Sequence, residues 1–209
     1  MKHYIETLIK AILAGLMIGI GSAIYLSLKS INPIMGALLF SFGLLVICNF
    51  DYKLYTGRVA YIIDEKPSYL IDILIILIGN TLGGIFIALC LYFGDMSNLI
   101  ETAQALVSHK FESTYINMLF KAILCGMMMY LGVEGFKRAK NPISANVILS
   151  FAVIIFILSG FEHSIANIIY VVISGQISLH ILISLLVMAL GNLIGAVILN
   201  FLEQKAHLK

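Results

Sequence analysis

The sequence predicts an all-α integral membrane fold: six transmembrane helices forming a 3+3 inverted repeat, with helices two and five broken. Three observations lead there. Of 209 residues, 61% are hydrophobic and only 11% charged, with a mean hydropathy of +1.03. A soluble domain keeps roughly a quarter of its residues charged, so this chain has too little polar surface for water. Long apolar runs recur along its whole length, and a span needs about 20 such residues. Finally, the second half repeats the first.

The spans lie near 8–28, 34–62, 70–94, 113–136, 143–173 and 177–202. The first, "AILAGLMIGIGSAIYLSL", is 18 residues long and ends at no small-x-small site. It therefore reads as a mature span rather than a secretory signal. The second and fifth run to about 30 residues and carry ionisable groups inside, "CNFDYKLYTGR" and "SGFEHS". A helix broken in mid-membrane exposes backbone that lipid cannot satisfy, so each break must face protein or a watery cavity. The third and sixth spans carry "GNTLG" and "GNLIG", small residues at a spacing that suits close helix packing. Asn80 and Asn192 inside them are expected to bond across helices.

The repeat is legible at nearly constant offset. "LIKAILAG" (Leu8–Gly15) returns as "LFKAILCG" (Leu119–Gly126), "NPI" at 32–34 returns at 141–143, and "GNTLG" at 79–83 returns at 191–195. Each copy holds an odd number of spans, so the second enters with opposite sense, and a pathway is expected between its broken helices. The chain reads as one transmembrane domain over 1–209, with repeats at about 1–97 and 110–209. At the two "NPI" sites Asn caps a helix and Pro fills its first turn. The distribution of basic residues predicts a multi-pass protein of the cytoplasmic membrane with both termini in the cytoplasm. Lys2, Lys10, Lys66, Lys137, Arg138, Lys140, Lys205 and Lys209 then face the cytoplasm, and Lys29, Lys110 and Lys121 lie toward the outside.

Other classes lose support. A net charge of +2 without a long basic run excludes nucleic acid as a partner. Cys48, Cys90 and Cys125 show no metal-ligand spacing, and no cofactor or metal is expected. His163 and Ser164 are sequence neighbours and face different ways, which rules out a nucleophile–base pair. A haem anchor would need facing histidines in the bilayer, and only His163 is deep. An aquaporin-like channel for small neutral solutes is the alternative, but neither break carries Asn-Pro-Ala.

The chemistry centres on the breaks. Offset 109 sets "KLYTGR" (Lys53–Arg58) against "EHSIAN" (Glu162–Asn167), so Leu54 faces His163. An ionisable residue within the membrane is a functional candidate by default. Glu162, next to it in sequence, is expected to cap or bond the broken backbone, a gating carboxylate being the alternative.

"GFEHSIAN" resembles the signature of the formate/nitrite transporter family, pentameric channels for small monovalent anions with an aquaporin-like fold. "GALLFSFGLL" with "KLYTG", "FKAILCG" and "GNLIG" extend the resemblance over essentially the whole chain. The resemblance implies a homopentamer in a lipid bilayer. Its substrates would be formate, nitrite or hydrosulfide, permeating with a proton past hydrophobic constrictions. His163 and Thr56 would form the central anion and proton site, with Lys110 in the third-to-fourth connection lending positive potential. Leu54, Tyr55 and Thr56 would lie on the gating loop. Phe40 and Phe156 would narrow the cytoplasmic side, with Leu44 one turn beyond, and Leu54 would narrow the periplasmic side. The family often carries Cys-Asn where this chain has Cys125–Gly126, and Phe where it has Tyr55. These departures mark a divergent, hydrosulfide-type member. Either His163 or water could supply the proton.

Overall fold

The structure, a computed structural model, describes residues 2–208; Lys209, counted above among the cytoplasmic charges, lies outside them. The described chain is all-helical. Four helices are long and apolar enough to cross a membrane: α1 (Lys2–Leu28), α4 (Tyr69–Phe93), α6 (Tyr115–Arg138) and α9 (Leu179–Lys205). They pack as two matching pairs, α1 on α4 and α6 on α9. Glycine sets the approach in both. A Cβ on Gly15 would fall 2.2 Å from the Asn80 carbonyl oxygen, and one on Gly126 would fall 2.2 Å from that of Asn192. No side chain fits at either position, so Gly126 is a packing requirement shared with Gly15 rather than a lost asparagine.

The second span becomes α2 (Pro33–Asn49), a break at 50–54, α3 (Tyr55–Arg58) and a 3₁₀ turn (Val59–Ile63). The fifth becomes α7 (Pro142–Leu158), a break at 159–163 and α8 (Ser164–Ser174). Asn32 and Asn141 cap α2 and α7 as expected, accepting from the Met35 and Ser144 amides at 3.0 and 2.9 Å, with Pro in each first turn. Each break turns through a left-handed residue at the same place, Asp51 at φ 53° and Gly160 at φ 68°. Aspartate is among the few L-residues that tolerate this region.

The connection from the third to the fourth span is not a plain loop. It contains α5 (Ser97–Phe111), which buries Leu99, Ala103, Leu106, Val107 and Phe111, and packs mainly on α8. At 15 residues, with Glu101 and Lys110 among mostly polar neighbours, it is too short and too polar to stand out as a long apolar run. Its helical spacing of apolar residues is nonetheless present in the sequence.

Candidate functional site

The backbone freed by each break is satisfied by one buried asparagine. Asn80 accepts from the Tyr55 amide at 2.8 Å and donates to the carbonyls of Lys53 and Ala11 at 2.9 and 2.8 Å. Asn192 accepts from the Ser164 amide at 2.9 Å and donates to the carbonyls of Glu162 and Ala122, both at 2.8 Å. The main chain adds a matching pair, with the Lys53 amide on the Lys10 carbonyl and the Glu162 amide on the Lys121 carbonyl. These bonds put Leu54 and His163 at equivalent points, each capping the short helix that follows.

His163 is 2% exposed. Its Nδ1 accepts from the Ala166 amide at 3.2 Å, and its Nε2 lies 2.9 Å from Thr56 Oγ1. A ring nitrogen that accepts a backbone N–H carries no proton, so the neutral ring has its hydrogen on Nε2 and donates to Thr56. The Thr56 hydroxyl hydrogen is then left to point at something else. Phe156 stacks on the imidazole, with centroids 5.2 Å apart and planes at 26°. Phe40 meets Phe156 edge-on at 6.2 Å and 87°.

Glu162 is buried. Its Oε2 accepts from Lys110 Nζ at 2.6 Å and from Asn167 Nδ2 at 2.8 Å. The carboxylate therefore serves Lys110 and Asn167, while Asn192 holds the broken backbone. Lys110 sits in the last turn of α5 rather than in a loop.

Two cavities approach this centre. A lysine vestibule of about 330 Å³ is lined by Lys29, Lys110, Lys121, Phe156, Glu162 and His163, among others. An arginine vestibule of about 140 Å³ is lined by Leu44, Asp51, Leu54, Arg58 and Lys137, among others. Thr56 and Phe40 line neither and are buried between the two. Thr56 bonds to His163 and precedes Gly57, which lines the arginine vestibule; Phe40 touches Phe156 and lies one turn before Leu44.

Relative to the charged residues, the side chains expected at the two constrictions lie on sides opposite to those expected. Phe156 faces the cavity with Lys29 and Lys110, whereas Leu44 and Leu54 face the one with Lys137. The helix rise explains it. At about 1.5 Å per residue, Phe40 lies roughly 10 Å along α2 from its Lys29 end, and Phe156 roughly 21 Å along α7 from its Lys140 end. Their ring contact fixes one common depth, nearer Lys29. Tyr55, expected on the gating loop, opens α3; it is buried, its hydroxyl donates to the Ala189 carbonyl at 3.1 Å, and it lines neither vestibule.

Sequence reasoning separated Lys110 from Glu162 and left Asn167 without a role. It foresaw cross-helix bonding by Asn80 and Asn192 but not its target. An amide recurring in both copies beside a glycine was the available signal.

Apolar spanning helices around a buried polar centre, with a cavity on each side, define a membrane protein of the channel and transporter class. The chain belongs to the formate/nitrite transporter family, whose sequence profile matches residues 2–203. The formate channel FocA of Escherichia coli (strain K12) is 27% identical over 191 residues, covering 79% of this chain and 65% of that protein. FocA of Haemophilus influenzae is 24% identical over 148 residues, covering 66% and 52%. The chain thus spans less than two thirds of the length of these curated relatives. Among solved structures, a pentameric formate channel with formate bound aligns with a TM-score of 0.86 at 22% identity, covering 100% of this chain and 99% of that one. An FNT family ion channel aligns at 0.87 and 19%, covering 97% and 90%.

Proposed function

We propose that this protein is a homopentameric channel for small monovalent weak-acid anions of the formate, nitrite and hydrosulfide class, each anion permeating with a proton. Each subunit carries its own pathway through a six-span inverted repeat in the cytoplasmic membrane, with both termini inside. The observation that carries the reading is the buried Thr56–His163 pair at the floor of the lysine vestibule, bounded by the Phe40/Phe156 rings and by Leu44 and Leu54.

The physics follows from the barrier. Moving a bare small ion from water into a dry constriction has an idealised Born cost of order 20 kcal/mol, and protonating the anion removes most of it. The Thr56 hydroxyl, backed by the Nε2 hydrogen of His163, donates to the anion where hydration is lost. The neutral ring has one N–H, and that bond orients Thr56. His163 is thus a positioning group, and the proton comes from vestibule water.

Reconstituted protein, challenged with formate, nitrite, acetate and hydrosulfide at two pH values, tests this. Uptake should carry protons and run faster on the acid side for formate. His163→Phe should lose most of it while remaining folded. Full proton-coupled uptake in that variant would refute the central role.

A further inference from the structure

The lysine vestibule holds charges that the central site does not use. Lys110 is compensated by Glu162 at 2.6 Å. Lys121 is not, and the repeat explains why. Its counterpart, Lys10, is paired with Asp51 at 3.0 Å and Glu6 at 3.3 Å. At the equivalent of Asp51 the second half has Gly160, and at the equivalent of Glu6 it has Asn117. The same scaffold position therefore carries a neutralised lysine in one half and a bare one in the other. Gly160, which has nothing within 4 Å of where a side chain would start, leaves open space there and itself lines the cavity. Lys29 adds a second charge: among the described residues neither lysine makes an ion pair or side-chain hydrogen bond. One turn before Lys29, Tyr25 packs against Tyr170 of α8 at 6.4 Å between centroids, and both phenols line the same cavity.

We infer that Lys121 and Lys29, with the Tyr25 and Tyr170 phenols, form a capture site for small weak-acid anions ahead of the Thr56–His163 centre. The inference rests on the transport reading above and names the residues that raise the local anion concentration. Two uncompensated cations attract a monovalent anion from solution, and phenol hydroxyls can donate to it while it keeps part of its water. At about 330 Å³ the cavity has room for an anion with several waters, whose share of liquid volume is about 30 Å³ each. The capture site therefore takes formate and acetate alike, and selection by size falls to the Phe40/Phe156 neck.

Two measurements on the full chain test it. In liposomes, Lys29→Gln and Lys121→Gln should each raise the half-saturating formate concentration roughly three- to tenfold, the scale of one unit charge near a protein surface after screening. The double glutamine variant should lose most of the ionic-strength dependence of uptake, and the double arginine variant should restore it. In detergent, saturation-transfer NMR on the formate proton reads binding without transport. That signal should fall in the double glutamine variant and return with arginine. Half-saturation, salt dependence and binding signal unchanged in the double glutamine variant would overturn the inference. Absence of formate uptake by the unmodified protein would instead overturn the transport reading, and the binding signal would still decide the capture site.

Discussion

Replacing Asn192 with Ala tests the lock that positions the central histidine. The substitution removes three hydrogen bonds, of 2.9, 2.8 and 2.8 Å. Two of the groups, the Ser164 amide and the Glu162 carbonyl, belong to the break and have no helical partner to fall back on. The third, the Ala122 carbonyl, keeps its place in the α6 ladder. An unsatisfied buried group costs about 1–3 kcal/mol, so the break loses about 2–6 kcal/mol. Interhelical side-chain bonds in bilayers average only about 0.6 kcal/mol. The larger figure applies here because orphaned backbone, unlike a side chain, cannot turn away. Since 1.4 kcal/mol is a factor of ten, amides of residues 162–167 should exchange with deuterium at least roughly 30-fold faster, while those of 53–58 hold. Asn80→Ala should produce the mirror result, opening 53–58 and sparing 162–167. Anion flux should fall in both. If exchange at 162–167 is unchanged in Asn192→Ala, or if both breaks open together in either variant, the two locks do not act as described.

Phe156→Ala removes both the stack on His163 and the edge contact with Phe40; it should cost about 3–5 kcal/mol in stability and raise the acetate-to-formate flux ratio. An unchanged ratio would mean that Phe156 is not at a constriction. Gly126→Ala puts a methyl 2.2 Å from a backbone oxygen and should sharply lower the thermal stability of the detergent-solubilised protein. Gly160→Ala meets only the left-handed backbone penalty, about 1–2 kcal/mol, so equal losses for the two glycine variants would contradict the helix contact. Lys110→Met strands the buried Glu162 carboxylate and should cost about 3–5 kcal/mol. Adding Glu162→Gln should recover most of that stability, and no recovery would mean that the pair is not coupled.

Much of this arrangement was legible in the sequence because polar residues in an apolar chain have few reasons to be there. The Asn-Pro caps follow from local chemistry alone, and the breaks follow from charges in runs too long for one helix. The interior of α5 was not read as helical because its Leu99, Ala103 and Leu106 spacing is interleaved with polar residues: Glu101 and His109 are exposed, while Lys110 turns in to Glu162. The direction of Glu162 was not readable, since its two neighbours, Lys110 and Asn167, lie 52 residues before it and five after. Only packing brings them together. The depth of Phe40 and Phe156 was within reach: counting rises along α2 and α7 from their basic ends gives it.

The two halves share one frame and differ in the side chains that it carries. Asn80 and Asn192 fix Leu54 and His163 at equivalent points, through bonds to the same three kinds of backbone group. With the frame constant, exchanging a leucine for a histidine changes the chemistry at the break without altering its backbone. The same holds at the next layer out, where Asp51 neutralises Lys10 and glycine leaves Lys121 bare. One half thus carries an apolar side chain at its break and a compensated lysine, and the other a hydrogen-bonding imidazole and a lysine without an acidic partner at the equivalent position. On the transport reading proposed above, a symmetric chain with leucine at both breaks would lack a donor where hydration is lost. On the same reading, one with histidine at both would lack the apolar side chain proposed to keep bare ions out.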